Sequence, residues 1–331
     1  MIDHLSASQL SRFTRCAEMW RRQYIEGDTV PVGAAAHIGQ AVHKAAEINF
    51  RQKIQSHTDL PADVLQDAAV QEFIRSVRDE GIYFTPKQRQ NVQQFLAQSQ
   101  DMTARLADLY RREIAGRIQP VLVEYKKNLL LPKLDIPVRT ILDVYTANGE
   151  LHDLKTSSRR WTPEKAAESP QMTLYRESVR LACGSYPEHM YFDVMLKYAQ
   201  PQVQVIETSR TRDDIASLSA QFNSMLSQIR AGRFEPYALG TWMCSPSLCS
   251  YWSTCQYAHG RKFYSDGGRS SSARQQSGTY SSGRKSTPSF SRSSQYSSPR
   301  QSGPSPSSGN WTLLKGSGII AALLVLLSHC H

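Results

Sequence analysis

The sequence predicts an α/β fold in which a mixed central β-sheet is flanked by helices, with a helical section ahead of the sheet. Three observations carry this expectation. Helical stretches fill about the first 118 residues; strand-like runs gather between residues 120 and 209; helical segments at about 170–183 and 212–230 interrupt and follow those runs.

The elements follow in order. Residues 6–24 read as one amphipathic helix ending in Trp20-Arg-Arg-Gln-Tyr24. A second helix, about 34–54, is rich in small residues, which suits close packing, and carries His37 and His43. Residues 61–115 hold at least two more helices, with Leu60-Pro61-Ala-Asp63 and Thr85-Pro86 as boundaries. Strands are expected at about 120–131, 137–147 and 150–156. Asn148-Gly149, between the last two, is the strongest short hairpin signal available. Ser169 caps and Pro170 starts the next helix. Two more strands are expected at 188–198 and 202–209, and a final helix reaches Gly232 in a C-cap position. There is no internal repeat.

Composition divides the chain. From about Arg261 to Asn310 it is Ser, Gly, Arg, Gln and Pro with scattered aromatics. Such a segment cannot bury enough apolar surface to offset its ordering entropy, so disorder is expected. After residue 260 there are nine Lys and Arg against the single acid Asp266, whereas the first 260 residues hold 30 basic and 28 acidic side chains. Of the net charge of +10, +8 therefore belongs to a cationic tail, suited to salt-sensitive phosphate contact or to no partner at all. It does not describe a basic folded domain. The apolar run Ile319 to Leu327 is well short of the ~20 residues of a membrane span, so membrane association is not expected. The charged, helical start carries no signal peptide, which points to a cytoplasmic protein with reduced thiols.

The chemistry concentrates at the hairpin. Asp143 lies inside Thr140-Ile-Leu-Asp143-Val-Tyr, and a charge in an apolar strand is costly to bury unless it is paired or metal-bound. Antiparallel pairing across Asn148-Gly149 brings Asp143 near Asp153 and Lys155. Those two share a face, and Leu154 points the other way. Two carboxylates and an ammonium on one patch of sheet outline a divalent-metal hydrolysis site, in which the carboxylates hold Mg²⁺ or Mn²⁺ and the lysine orients or activates a water. Gln171 and Tyr175 sit four apart and share a helix face. Taken singly, each is equally an ordinary hairpin or helix-surface residue.

Together these residues resemble the PD-(D/E)XK nuclease superfamily, and within it the RecB-like exonuclease branch, which includes AddB-type and CRISPR-adaptation exonucleases. The resemblance rests on Asp143, Asp153-Leu-Lys155 and Gln171-x-x-x-Tyr175. It extends to Gly39-x-x-x-His43 upstream and to Ser6, Leu10, Phe13 and Cys16 in the first helix, and covers about residues 5–258. It implies a restriction-endonuclease-like core with an N-terminal helical insert over the active site. It implies a metal-dependent DNA exonuclease acting on single strands or ends in recombination, repair or phage DNA processing. Asp143, Asp153, the Leu154 carbonyl and His43 would hold the metal, with catalytic roles for Asp143, Asp153, Lys155, Gln171 and Tyr175. Glu124, where related nucleases often have a glutamate, is either an additional site residue or an edge-strand carboxylate; His37 is taken as structural. DNA is the implied partner, with a helicase or recombination protein beside it. A catalytically silent DNA-binding or scaffold member, or an RNA-directed nuclease, is the alternative.

The cysteines complete the comparison. Cys244-x₄-Cys249-x₅-Cys255 lies in a turn-rich segment where thiolates can converge. In the resembling nucleases three such cysteines and one N-terminal cysteine, here Cys16, hold a [4Fe–4S] cluster. Four thiolates suit a cluster or zinc, and the resemblance favours iron–sulfur. Cys183 reads as a small core residue. The implied organisation is a nuclease domain over 1–260, a disordered tail over 261–310 and an apolar segment over 311–331. Within the domain lie a helical part (about 1–118), a catalytic core (about 119–235) and a cysteine clasp (242–257 with Cys16).

Overall fold

The computed structural model describes residues 2–85, 87–237, 243–245 and 248–258. The expectations for 261–310 and 311–331 lie outside these residues. No helix among the described residues is long and apolar enough to cross a membrane.

Five strands form one mixed sheet in the order β1-β2-β3-β4-β5: β1 (Pro120–Leu129), β2 (Val138–Thr146), β3 (Glu150–Ser157), β4 (His189–Leu196) and β5 (Gln202–Thr208). Only β3 and β4 run parallel; the other pairs are antiparallel. A parallel pair needs a crossover. Residues 158–188 supply it with the short helix α6 (Pro163–Ala167), which the sequence reading lacks, and with α7 (Pro170–Cys183). Thr162 caps α6 by accepting from the Lys165 amide. The expected α/β sandwich on a mixed sheet is what the chain forms.

Helices cover the sheet on both sides because each presents one apolar stripe to it. The N-terminal insert, α3 (Ala34–Ser56), α4 (Ala62–Glu80) and α5 (Val92–Glu113), packs Ala41, Ala45, Phe73, Leu106 and Tyr110 against Val123, Val144, Leu154 and Met195. On the other side α7 sets Met172, Tyr175 and Val179 against Leu142, Leu151, Phe192 and Val194. His37 is fully buried, with Nδ1 3.0 Å from the Ser76 hydroxyl and Nε2 3.0 Å from the Gly81 carbonyl, so it ties α3 to the end of α4.

The single helix expected at 6–24 is two, α1 (Ala7–Arg15) and α2 (Ala17–Tyr24), broken at Cys16, whose backbone is extended at φ −163° and ψ 104°. The break is tertiary in origin. The Ala17 amide turns out to the Glu235 carbonyl, and the Tyr237 amide donates to Cys16 Sγ at 3.3 Å. Both helices pack with α8 (Arg212–Arg230) and the loop between β1 and β2 in a third cluster centred on Trp20, which is fully buried. The Trp20 indole meets Phe13 edge-on at 5.6 Å and donates from Nε1 to Gln9 at 3.3 Å. Trp20→Ala is expected to cost about 3–5 kcal/mol in urea unfolding, as for other large-to-small changes in packed cores. A cost below about 1 kcal/mol would show that this end of the molecule is not consolidated around the ring.

Candidate active site

The site forms where α3 and α7 reach the hairpin. Gly39 lets α3 come close: a Cβ there would lie 3.2 Å from the Thr156 hydroxyl of β3. One and two turns further along the same face, His43 and Glu47 line a cavity of about 540 Å³. Glu124, Asp143, Lys155, Thr156, Gln171 and Tyr175 line the rest.

Pairing of β2 with β3 runs Tyr145↔Leu151 and Val144↔His152, a register that continues to set Asp143 opposite Asp153. There the ladder opens, and the Asp143 carboxylate accepts the Leu154 amide at 2.9 Å. The turn itself has Gly149 at φ +77°, while Asn148 is not left-handed. Two central residues at positive φ would be needed for a type I′ turn, so the observed turn is a longer one closed by a left-handed glycine. Glu124 stands opposite Asp143 between the pairs Val123↔Val144 and Tyr125↔Leu142, and has φ +47° inside a strand. A left-handed non-glycine residue costs about 1–2 kcal/mol. Such strain persists only where packing overrides it, and it gathers at functional sites.

His43, Glu124 and Asp143 each offer a donor atom, and these three atoms lie within 4.8 Å of one another. Asp153 is placed differently. Its carboxylate is fully buried, and the Lys155 ammonium stands 2.5 Å from Oδ2. That contact is close but poorly aligned, since neither Asp153 oxygen accepts a hydrogen bond of ordinary geometry. Lys155 also reaches the Leu154 carbonyl at 3.4 Å. The Gln171 amide donates to the Tyr175 hydroxyl at 3.3 Å, and that hydroxyl is buried within reach of the Asp143, Asp153 and Glu124 charges.

The electrostatics follow from burial. Desolvation, then the charge of Asp143, pushes Glu124 up to about 7. Desolvation, with the Asp143 charge adding to it against the pull of Lys155, takes Asp153 up to about 6. Asp143 is raised by burial as well. Desolvation and the nearby Lys155 charge lower His43 to about 4, so its imidazole is neutral at pH 7. For Lys155 burial acts downward, but the Asp153 and Asp143 charges outweigh it and hold the ammonium charged. Three carboxylates thus face one cation where water solvates them poorly.

Every residue expected in the centre comes together here, although Asp153 lies behind the three-donor group and does not line the cavity. Glu124, left open by the sequence, stands inside the group. Sequence pattern alone assigns no role to Gln40, Lys44 and Glu47; Glu47 continues the i, i+4 row of Gly39 and His43 on α3, and Gln40 and Lys44 form the adjoining i, i+4 pair. The donor set of carboxylate oxygens and a neutral imidazole suits a divalent ion.

The four expected cysteines also converge. Burial raises the Cys249 thiol, and Cys244, Cys16 and Cys255 are near enough to add to the rise. The segment is pinned to α2: the Tyr251 hydroxyl donates to the Asp28 carbonyl at 2.7 Å, and Arg22 lies 4.7 Å over the Tyr251 ring and donates to Thr254.

The chain belongs to the PD-(D/E)XK nuclease superfamily, whose sequence profile matches residues 4–256. It is therefore a nuclease by family. Solved structures similar to it include one from Eubacterium rectale described as a "putative exonuclease", 13% identical, with a TM-score of 0.45 over 81% of this chain and 91% of that one. No curated protein matches the sequence.

Because Glu124 binds its proton more tightly folded than unfolded, the folded state holds the extra proton between about pH 4.5 and about 7. Its ionisation therefore removes stability as pH rises through that window. His43, lowered to about 4, acts with the opposite sign between about 4 and 6.5. Glu124→Gln isolates the first effect. In EDTA its melting temperature should rise relative to wild type between pH 5 and 8, and Mn²⁺ should protect wild type more than the variant at pH 8. A constant difference across pH would refute the assignment.

Proposed function

We propose that the protein is a metal-dependent deoxyribonuclease of the RecB-like branch, acting on single-stranded DNA or DNA ends. The observation that carries this reading is the grouping of His43, Glu124 and Asp143 within 4.8 Å beside a buried Asp153–Lys155 pair. His43, Glu124 and Asp143, with the Leu154 carbonyl beside them, would hold Mg²⁺ or Mn²⁺; Asp153 then fixes Lys155 and adds negative charge behind the group. A divalent ion bound there supplies positive charge that polarises a phosphate and raises the acidity of water.

The chain's own groups divide the remaining work. Lys155 keeps its charge, lines the cavity and can meet the negative charge that grows on the phosphate as water attacks phosphorus in line. Asp153 holds that ammonium in place at 2.5 Å. Gln171 and Tyr175 line both this cavity and a neighbouring one containing Arg139, which supports a role for their polar groups in holding the sugar–phosphate backbone. Neutral His43 offers a ring nitrogen that carries no competing proton at pH 7.

A labelled single strand incubated with Mg²⁺ or Mn²⁺ tests the reading. Wild type should degrade it, and Asp143→Ala and Lys155→Ala should each lose about 10²-fold or more. Variants that cut as well as wild type would sink it. The convergence of Cys16, Cys244, Cys249 and Cys255 supports a [4Fe–4S] cluster as a further part of the proposal. Anaerobically purified protein should then be brown, with iron and sulfide in equal amounts, and Cys249→Ser should be colourless; a colourless wild type containing zinc would replace the cluster with a zinc site.

A further inference from the structure

A second cavity shares part of its wall with the catalytic one. This neighbour has a volume of about 600 Å³, and Arg12, Arg15, Tyr83, Phe95, Lys197 and Tyr251 are among the residues that line it. Ala35 lines both cavities. Helix α3 runs from Gly33, in the wall of the second cavity, to His43 in the first, an axial rise of about 15 Å at 1.5 Å per residue. That is the length of a few nucleotides of extended strand.

The charge of this cavity is one-sided. None of the described residues lining it is Asp or Glu. Elsewhere the arginines of this molecule commonly find carboxylates, as Arg21 does with Glu18, Arg22 with Asp28, Arg75 with Glu72 and Arg112 with Asp108. Arg12, Arg15 and Lys197 have no such partner among the described residues. Lys197 is half-buried, and desolvation lowers its pKa with no counter-charge against it. Its amide bonds the Ser157 carbonyl at 2.8 Å, which fixes it at the carboxyl ends of the parallel pair β3 and β4. A half-buried ammonium without a counter-charge is unfavourable until an anion arrives. The α3 N-terminus adds to the same field, since Gly33 provides no side-chain cap for the first amides.

The cavity also offers rings. Tyr83 and Phe95 are half-buried, and Phe84 holds Phe95 edge-on at 6.0 Å. Cations beside aromatic rings are the composition of a single-strand site, in which phosphates meet charge and unpaired bases meet π faces. A duplex keeps its bases stacked inside and cannot bring them to rings within a cavity.

We infer that this second cavity holds the single-stranded DNA adjoining the scissile phosphate, with Arg12, Arg15 and Lys197 on its phosphates and Tyr83 and Phe95 against its bases. The inference rests on reading the first cavity as a deoxyribonuclease centre.

The test is equilibrium binding of a fluorescein-labelled oligothymidine of about 15 nucleotides to the full chain in EDTA, so that nothing is cut. At about 0.7 per phosphate contact, Arg12→Ala/Arg15→Ala/Lys197→Ala should lower the slope of log K against log salt by about 2, and should weaken binding about tenfold or more. Arg15 is exposed, so Arg15→Glu and Arg15→Lys decide the matter should the triple variant melt early: Glu should weaken binding and Lys should restore it. Native-like melting with unchanged affinity and slope would overturn the inference, as would an equal loss for a duplex of the same length. Cleavage of the same strand by wild type with Mn²⁺ separates the two readings. Normal cleavage with unaltered binding in the variants removes this inference alone; intact, Arg15-dependent binding without cleavage removes the catalytic reading and leaves a single-strand site.

Discussion

Three carboxylates and one ammonium meet at the open end of a hairpin, and much of the structure follows from holding them there. Glu124, Asp143 and Asp153 are all pushed toward protonation by burial, and Lys155 alone cannot balance them. A folded chain spends stability on such a cluster, because desolvating like charges opposes folding and no internal cation completes the balance. The arrangement suits a divalent ion. Its charge would exceed any other in the site and would reverse the local proton preferences.

The scaffold shows how the cluster is kept from dispersing. Glu124 occupies a left-handed conformation in mid-strand, while its neighbour Val123 and the facing Val144 are buried in the α3–α5 core. The flanking packing therefore holds the strained residue in register. Gly39 removes the one Cβ that would keep α3 away from β3, and His43 rides in on that approach. Leu154, locked in the core, leaves its amide to Asp143 and its carbonyl to Lys155, so one residue's backbone orients two members of the centre. Far from the centre, the Cys16 break, the Tyr251–Asp28 contact and Trp20 join the two ends of the domain. The second cavity lies between these regions, and the C-terminal segment supplies Tyr251 to its wall.

Much of this could be read in the chain itself. Apolar runs of the right lengths set out five strands and the helices around them, with boundaries off by a residue or two where ladders fray. An aspartate inside an apolar strand, an Asp-x-Lys after a glycine turn and a Gln-x-x-x-Tyr on a capped helix signal through local pattern alone, because strand alternation and helix pitch decide which residues share a face. The expected hairpin also brought Asp143 near Asp153 and Lys155, but their direct opposition came from the longer turn, because a two-residue Asn-Gly turn would have set Asp143 opposite Leu154.

What needed the tertiary structure was everything that depends on distance between elements. Local pattern ran a helix straight through Cys16; the break comes from hydrogen bonds to residues 235 and 237. Asp153 was an expected metal ligand and Glu124 the residue left open, yet packing pairs the first with Lys155 and brings the second beside His43 and Asp143. The even charge balance of the first 260 residues hid a cavity with no acid among its described lining residues, because charge counts average over a surface that folding sorts. Residue type and spacing determined the kinds of groups available to the site. Only the closure of α3 over the sheet decided which of them stand within reach of one ion, because that reach is set by packing across dozens of residues and by no local period.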